Sequence, residues 1–246
     1  METSSSKAKH SNAHWHATVM TLFPDMFPGP LGASILGKAL NKGLWGLDTV
    51  NIRDFATDNH KTVDDTPYGG GAGMVMKADV VDRAVCHVKA TQNPEKILYL
   101  SPRGKKIDQK VINSLAELPK IALLCGRYEG IDDRVIQYHG IEEVSLGDFV
   151  LCGGELPAMC LIESCVRLIP GVMGDPASHE EESFQNGLLE HPHYTRPLVW
   201  QGVQVPEVLT SGNHKEIERW RQHQAETVTQ DRRPDLWKQH IDKQNS

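Results

Sequence analysis

Long hydrophobic runs are missing from this chain. Its apolar stretches are short, Ile121–Cys125 among them, so nothing in the sequence is long enough to cross a bilayer as a helix. Met1–Asn12 lacks an apolar secretory core; it is rich in Ser and Lys, and residues 1–13 are expected to form a disordered tail. The five cysteines are an odd number with no Cys-x-x-Cys pair, which argues for a reducing, cytoplasmic setting. Cys125 and Cys152 sit in apolar runs and are expected to pack rather than to ligate a metal. The glycine-rich stretch Gly69–Gly73 follows no apolar strand and fits neither G-x-G-x-x-G nor the P-loop, so dinucleotide and Walker-type readings fail on context.

What is present suffices for one good core and a smaller appendage: 246 residues, 39% of them hydrophobic. The net charge of −6 does not mark a nucleic-acid binder, but it is unevenly spread. Residues 127–187 carry 3 Lys/Arg against 12 Asp/Glu, whereas 1–126 carry 15 against 12 and 188–246 carry 8 against 8. An RNA partner would have to be met by local clusters of bases, because nearby cations make phosphate contacts and net charge does not.

Along the chain, His16–Leu22 alternates like a strand and breaks at Pro24 and Pro28. Leu31, Ile35, Leu36, Ala39 and Leu40 recur at helical spacing before Gly43. Ile97–Leu100 reads as a buried strand ending in Ser101-Pro102-Arg103-Gly104, and Asp108 caps a helix running to Leu118. Ile121–Cys125 is a second such strand, ending in Gly126-Arg127-Tyr128-Glu129-Gly130. Val144–Leu146 is a third, running into Gly147 and on to Gly153-Gly154. Pro157 is expected at the first position of the next helix, with Met159, Ile162, Val166 and Ile169 on one face. Strands alternating with helices predict an α/β domain with a mostly parallel sheet. Beyond an acidic stretch, Asn213 and Glu216 have capping-box spacing ahead of a helix, and no strand–helix alternation resumes. A small helical C-terminal domain is the expectation.

Three successive strands that end in glycine-containing polar sequence predict a small-ligand cleft, since open α/β sheets bind ligands at strand ends. Glycines let backbone groups approach a ligand closely, and Leu146, Phe149 and Leu151 could wall an adenine ring. Residue types alone leave the ligand open.

Resemblance narrows it. Leu100–Gly104, Leu124–Asp132 and Ser145–Ala158 resemble signatures of the TrmD family, the bacterial tRNA (guanine-N1)-methyltransferases. Thr62–Tyr68 and His193–Pro197 are similar to further family motifs, and the match runs in order from His14 to Leu236. The resemblance implies a SPOUT-type domain over 14–173 in which the chain threads a trefoil knot, a linker over 174–187, and a helical tRNA-binding domain over 188–246. It implies a cytoplasmic homodimer acting on tRNA, with transfer of a methyl group from S-adenosyl-L-methionine to N1 of guanosine 37; Mg²⁺ is compatible with it. By position, the donor would be held by Tyr99, Leu100, Pro102, Gly126, Tyr128, Glu129, Ser145, Leu146, Gly147, Asp148, Phe149, Val150, Leu151, Gly153, Gly154 and Pro157.

Guanine N1 carries a proton, so methylating it calls for a general base, and a cation beside O6 would stabilise the charge that develops there. The family's base is a linker aspartate, and Glu182 occupies the corresponding position, with similar basicity and one more methylene. Arg167 matches the arginine that faces O6, Ser178 matches a linker serine associated with the neighbouring guanosine, and His193 is either structural or RNA-facing. A non-catalytic tRNA-binding relative, which Glu182 would permit, is opposed by the intact donor-loop motifs. A sister methyltransferase acting on another nucleotide is opposed by His193–Pro197 and the long C-terminal region.

Overall fold

The computed structural model describes residues 14–173, 182–184 and 186–244. The tail expected at 1–13, Ser178 and most of the acidic linker lie outside those residues. The chain divides into two compact units, one ending at Gly174 and the other beginning at Asp175.

The first unit is built on five strands: β1 (His16–Thr21), β2 (Gly46–Asn51), β5 (Lys96–Lys106), β6 (Lys120–Cys125) and β7 (Glu142–Ser145). They lie in the order β2-β1-β6-β5-β7, and every pairing in the sheet is parallel. Between them run α1 (Ser34–Asn41), the two-residue strands β3 (Asp64–Asp65) and β4 (Val75–Met76), α2 (Ala78–Gln92), α3 (Gln109–Ala116) and α4 (Asp133–His139), and α5 (Glu155–Val166) follows β7.

A parallel sheet needs cover on both faces, and side chains alternate between the faces along each strand. On β6, Ile121, Leu123 and Cys125 enter one apolar cluster while Ala122 and Leu124 enter the other. The first cluster is closed by Ile112 and Leu115 of α3 and by Ala158, Leu161, Ile162 and Cys165 of α5. The second is closed by Val80, Val81, Ala84, Val85 and Val88 of α2 with Val135 and Ile136 of α4. Trp15 is buried whole in the first cluster because its indole N–H donates to the Leu115 carbonyl at 3.1 Å. Asp108 caps α3 as expected, accepting from the Val111 N–H at 2.9 Å.

Three local readings need correction. Strand β5 does not stop at Leu100; it continues to Lys106, and its pairing with β7 jumps so that Leu100 and Lys105 both face Val144. The intervening Ser101–Gly104 segment bulges out of the ladder, and Gly104 sits where a Cβ would lie 2.3 Å from the Val144 nitrogen. Pro157 is the third residue of α5, not its first, because the helix begins at Glu155. Cys152 is exposed, unlike Cys125, since the segment around it is loop rather than strand.

The second unit holds a hairpin of β8 (Val199–Trp200) and β9 (Val203–Gln204), then α6 (His214–Arg232) and α7 (Pro234–Gln244). Gln201 and Gly202 both adopt positive φ, as a two-residue hairpin turn demands. Asn213 caps α6 by accepting from the Glu216 N–H at 3.4 Å.

Candidate active site

All three expected strand-end loops converge on one cavity of about 330 Å³, at the lower end of the size range for ligand pockets. It is lined by Tyr99, Leu100 and Pro102 from β5, by Gly126, Tyr128 and Glu129 after β6, and by Ser145, Leu146, Gly147, Phe149, Val150, Leu151, Gly153, Gly154 and Pro157 after β7. Asp148 is the exception among the predicted donor residues. Its carboxylate is 85% exposed and turns outward to meet the Lys106 ammonium at 2.7 Å, because the segment it belongs to runs along the surface there. Ser101, Arg103, Arg127, Gly130, Ile131, Val144 and Cys152 also face the cavity, and all of them but Val144 sit inside the quoted motifs.

Close approach accounts for the glycines. A Cβ on Gly126 would come within 2.8 Å of the Tyr99 hydroxyl, and one on Gly154 within 2.8 Å of the Cys125 Cα. The Gly154 N–H donates to the Gly126 carbonyl at 3.1 Å, pinning the second and third loops together. Tyr128 holds φ +59, a left-handed conformation that costs an aromatic residue roughly 1 kcal/mol or more. Backbone bonds impose it: Glu129 N–H to the Met74 carbonyl at 2.9 Å, and Gly130 N–H to the Arg127 carbonyl at 3.1 Å. The same strap brings in the glycine-rich stretch, for a Cβ on Gly73 would lie 2.3 Å from Glu129 Oε1, whereas Gly69, Gly70 and Gly71 have open space around them.

The electrostatics of the cavity follow from burial. Desolvation pushes the Tyr99 phenol above its ordinary value, opposed by the Ile131 backbone N–H and the Arg103 charge. Arg103 lies 3.2 Å from both Asp133 and Glu143, whose carboxylates hold it charged. Burial, followed by the nearby Glu155 charge, drives the Cys125 thiol well up, so it serves as packing and not as a nucleophile.

The other predicted residues lie elsewhere. Arg167 is the C-cap of α5, one residue beyond the helix, and does not line the cavity. Glu182 belongs to the second unit, in a segment folded back on itself: the Glu190 N–H donates to Ser183 Oγ at 3.1 Å and the Phe184 N–H to the Leu188 carbonyl at 2.8 Å. The Leu189 N–H then donates to Thr229 Oγ1 on α6 at 2.8 Å. His193 is exposed, 3.7 Å from Glu190, with its ring 4.6 Å from that of His191. Ser178 lies outside the described residues. Among the described residues one Asp/Cys/His group, Asp82, Cys86 and His139, is close enough to hold a cation. His139 is already satisfied there, Nε2 by Asp82 at 2.7 Å and Nδ1 by Lys89 at 3.0 Å, and none of the three lines the cavity.

The family model described as tRNA (Guanine-1)-methyltransferase TrmD matches residues 15–239. The chain belongs to this family. It is 58% identical over 220 residues to a tRNA (guanine-N(1)-)-methyltransferase of Mesorhizobium japonicum, covering 89% of this chain and 95% of that relative. It is 56% identical over 225 residues to the protein of the same description in Rhodospirillum rubrum, covering 92% and 93%. The Brucella ovis relative is 56% identical over 223 residues, 91% of each chain. Membership makes the chain an enzyme, a methyltransferase of tRNA modification. Among the described residues no helix is long and apolar enough to cross a membrane.

Proposed function

We propose that this enzyme transfers a methyl group from S-adenosyl-L-methionine to N1 of guanosine 37 in tRNA. The observation that carries the reading is the convergence of three glycine loops on one cavity at the strand ends of a parallel sheet, in the segments that resemble the family's donor loops. The residues fit such a donor. Gly126, Gly153 and Gly154 leave backbone where a Cβ would collide, and Leu146, Phe149 and Leu151 wall one side for a flat ring. When bound, the donor supplies a methyl group on a sulfonium centre.

The chain's own residues divide the remaining work. Glu182 accepts the N1 proton as general base, and Arg167 stabilises the charge that builds on O6. The guanine must leave its stack to be reached, and Ser178 and His193 contact the RNA around it. The second unit is the tRNA-binding domain. The first is a SPOUT-type knotted domain, a reading supported by the sheet order and by the crowding of all three loops at one end. The enzyme acts in the cytoplasm as a homodimer, one subunit's Glu182 serving its partner's donor pocket; full activity in a demonstrably monomeric preparation would overturn this. Mg²⁺ is compatible with the family. The test of the reading is transfer from labelled donor to unmodified tRNA. One methyl per tRNA is expected, and none on a transcript with adenosine at position 37. Equal labelling of both transcripts would overturn the assignment.

A further inference from the structure

Glu155 is only 1% exposed, yet it sits at the start of α5, between the donor cavity and the apolar core. Its Oε1 accepts the Thr21 hydroxyl at 2.7 Å, and its Oε2 lies 2.9 Å from Arg127 Nη2. Oε2 has no hydrogen-bond partner beyond that ionic contact, and the buried Arg127 Nε has none at all. Burying an ion pair costs heavily in desolvation, and an apolar pair of similar volume would stabilise a fold as well or better. Neither residue has a part in the proton transfer proposed above. The pair therefore needs a different explanation.

Its geometry supplies one. Arg127 leaves the loop after β6 and crosses to the loop after β7. Its guanidinium lies 4.3 Å over the Phe23 ring, and Nη1 donates to the Cys152 carbonyl at 3.4 Å. Glu155 fixes the other end of the same guanidinium. A Cβ on Gly153 would lie 2.4 Å from Arg127 Nε and 2.6 Å from Glu155 Oε2, so the ion pair fills the space that a side chain at 153 would take. Phe23 and Thr21, at the end of β1, close the cage from the sheet side. Directed charge does here what an apolar contact could not: it ties three separate segments at fixed separation through one planar group.

We infer that Arg127 and Glu155 are positioning residues that set the distance between the loops at 126–130 and 151–154, and so the width of the donor cavity. The inference rests on the reading of that cavity as the donor site. Glu155→Gln in the full chain keeps the shape and removes the charge. Donor affinity, read by calorimetry with S-adenosyl-L-methionine, is expected to fall about tenfold. The donor KM should rise in step while kcat at saturating donor changes less than about threefold. Arg127→Met should act similarly, and Arg127→Met/Glu155→Gln should be no worse than the weaker single variant, since the two act as one unit. Thr21→Val leaves both charges in place and should weaken donor binding only about threefold, which keeps the test alive if Glu155→Gln folds poorly. Donor affinity within twofold of wild type in both Glu155→Gln and Thr21→Val overturns the inference. So does a fall in kcat with an unchanged donor KM, because that reports a smaller folded fraction and nothing about the cavity. A wild-type chain that binds no donor would instead overturn the reading of the cavity, and the inference with it.

Discussion

The first unit closes two apolar clusters around its sheet, whereas the described residues of the second bury only Leu188 and Thr229. Val199, Trp200 and Val203 of the hairpin, and Tyr194 and Leu198 before it, all face solvent, with Trp200 63% exposed. Scattered surface apolar residues are ordinary, but a hairpin carrying three together is a contiguous exposed apolar patch. The contrast separates two kinds of site. In the first unit packing dictates the site: glycines, a left-handed Tyr128 and the Arg127–Glu155 ion pair shape the cavity. In the second unit the groups proposed to act, Glu182 and His193, lie outside any such packed cavity.

If labour is divided in this way, variants should split along the same line. The largest effect is expected at Glu182, where removing the proton acceptor as Glu182→Gln should slow single-turnover transfer by about 10²–10⁴-fold. Donor affinity by calorimetry should not move, and Glu182→Asp should retain substantial activity. A Glu182→Gln rate within a few-fold of wild type, with Glu180→Gln or Glu181→Gln much slower, would give the role to a neighbour. Gly154→Val should do the reverse. Its added atoms meet the Cys125 Cα, and an overpacking cost of about 2 kcal/mol would weaken donor binding about thirtyfold, while filter binding of tRNA stays unchanged. Equal losses of donor and tRNA affinity would break the comparison.

How much of this could be read from the sequence follows the same boundary. Strand β6 was legible because a run of five apolar residues between Lys120 and Gly126 has one reading in an α/β chain, and α3 and α6 were legible from Asp108 and Asn213 as caps. The continuation of β5 was not, because Ser-Pro-Arg-Gly reads as a turn and only pairing with β7 reveals a bulge. Pro157 misled because proline marks a first turn without saying which residue of it. The Arg127–Glu155 pair was hidden by a separation of 28 positions (155 − 127), although a Glu opening an apolar helix just after two glycines was a signal. Asp148 is the opposite case, a motif position whose side chain points away from the cavity.

Smaller effects sharpen the comparison further. Trp200→Ala should leave donor affinity and thermal midpoint nearly unchanged and weaken tRNA binding about fivefold, the low end of what stacking against a base contributes. An unchanged tRNA affinity would remove the hairpin from the tRNA contact. Cysteine labelling gives the mildest readout. Burial pushes the Cys165 thiol up to about 12 and holds the Cys125 thiol well above its ordinary value, so at pH 8 both stay protonated and should resist iodoacetamide in the folded chain. Exposed Cys152 should react, and bound donor should slow it; equal rates with and without donor would remove Cys152 from the site.

The most direct measurement is the identity of the methylated nucleoside. Unmodified tRNA treated with enzyme and labelled donor, then digested and resolved by mass spectrometry, should yield 1-methylguanosine from position 37 and no other methylated nucleoside. A methyl group on guanine N2, on the ribose, or on N1 at any other position would contradict the pairing of this cavity with this base.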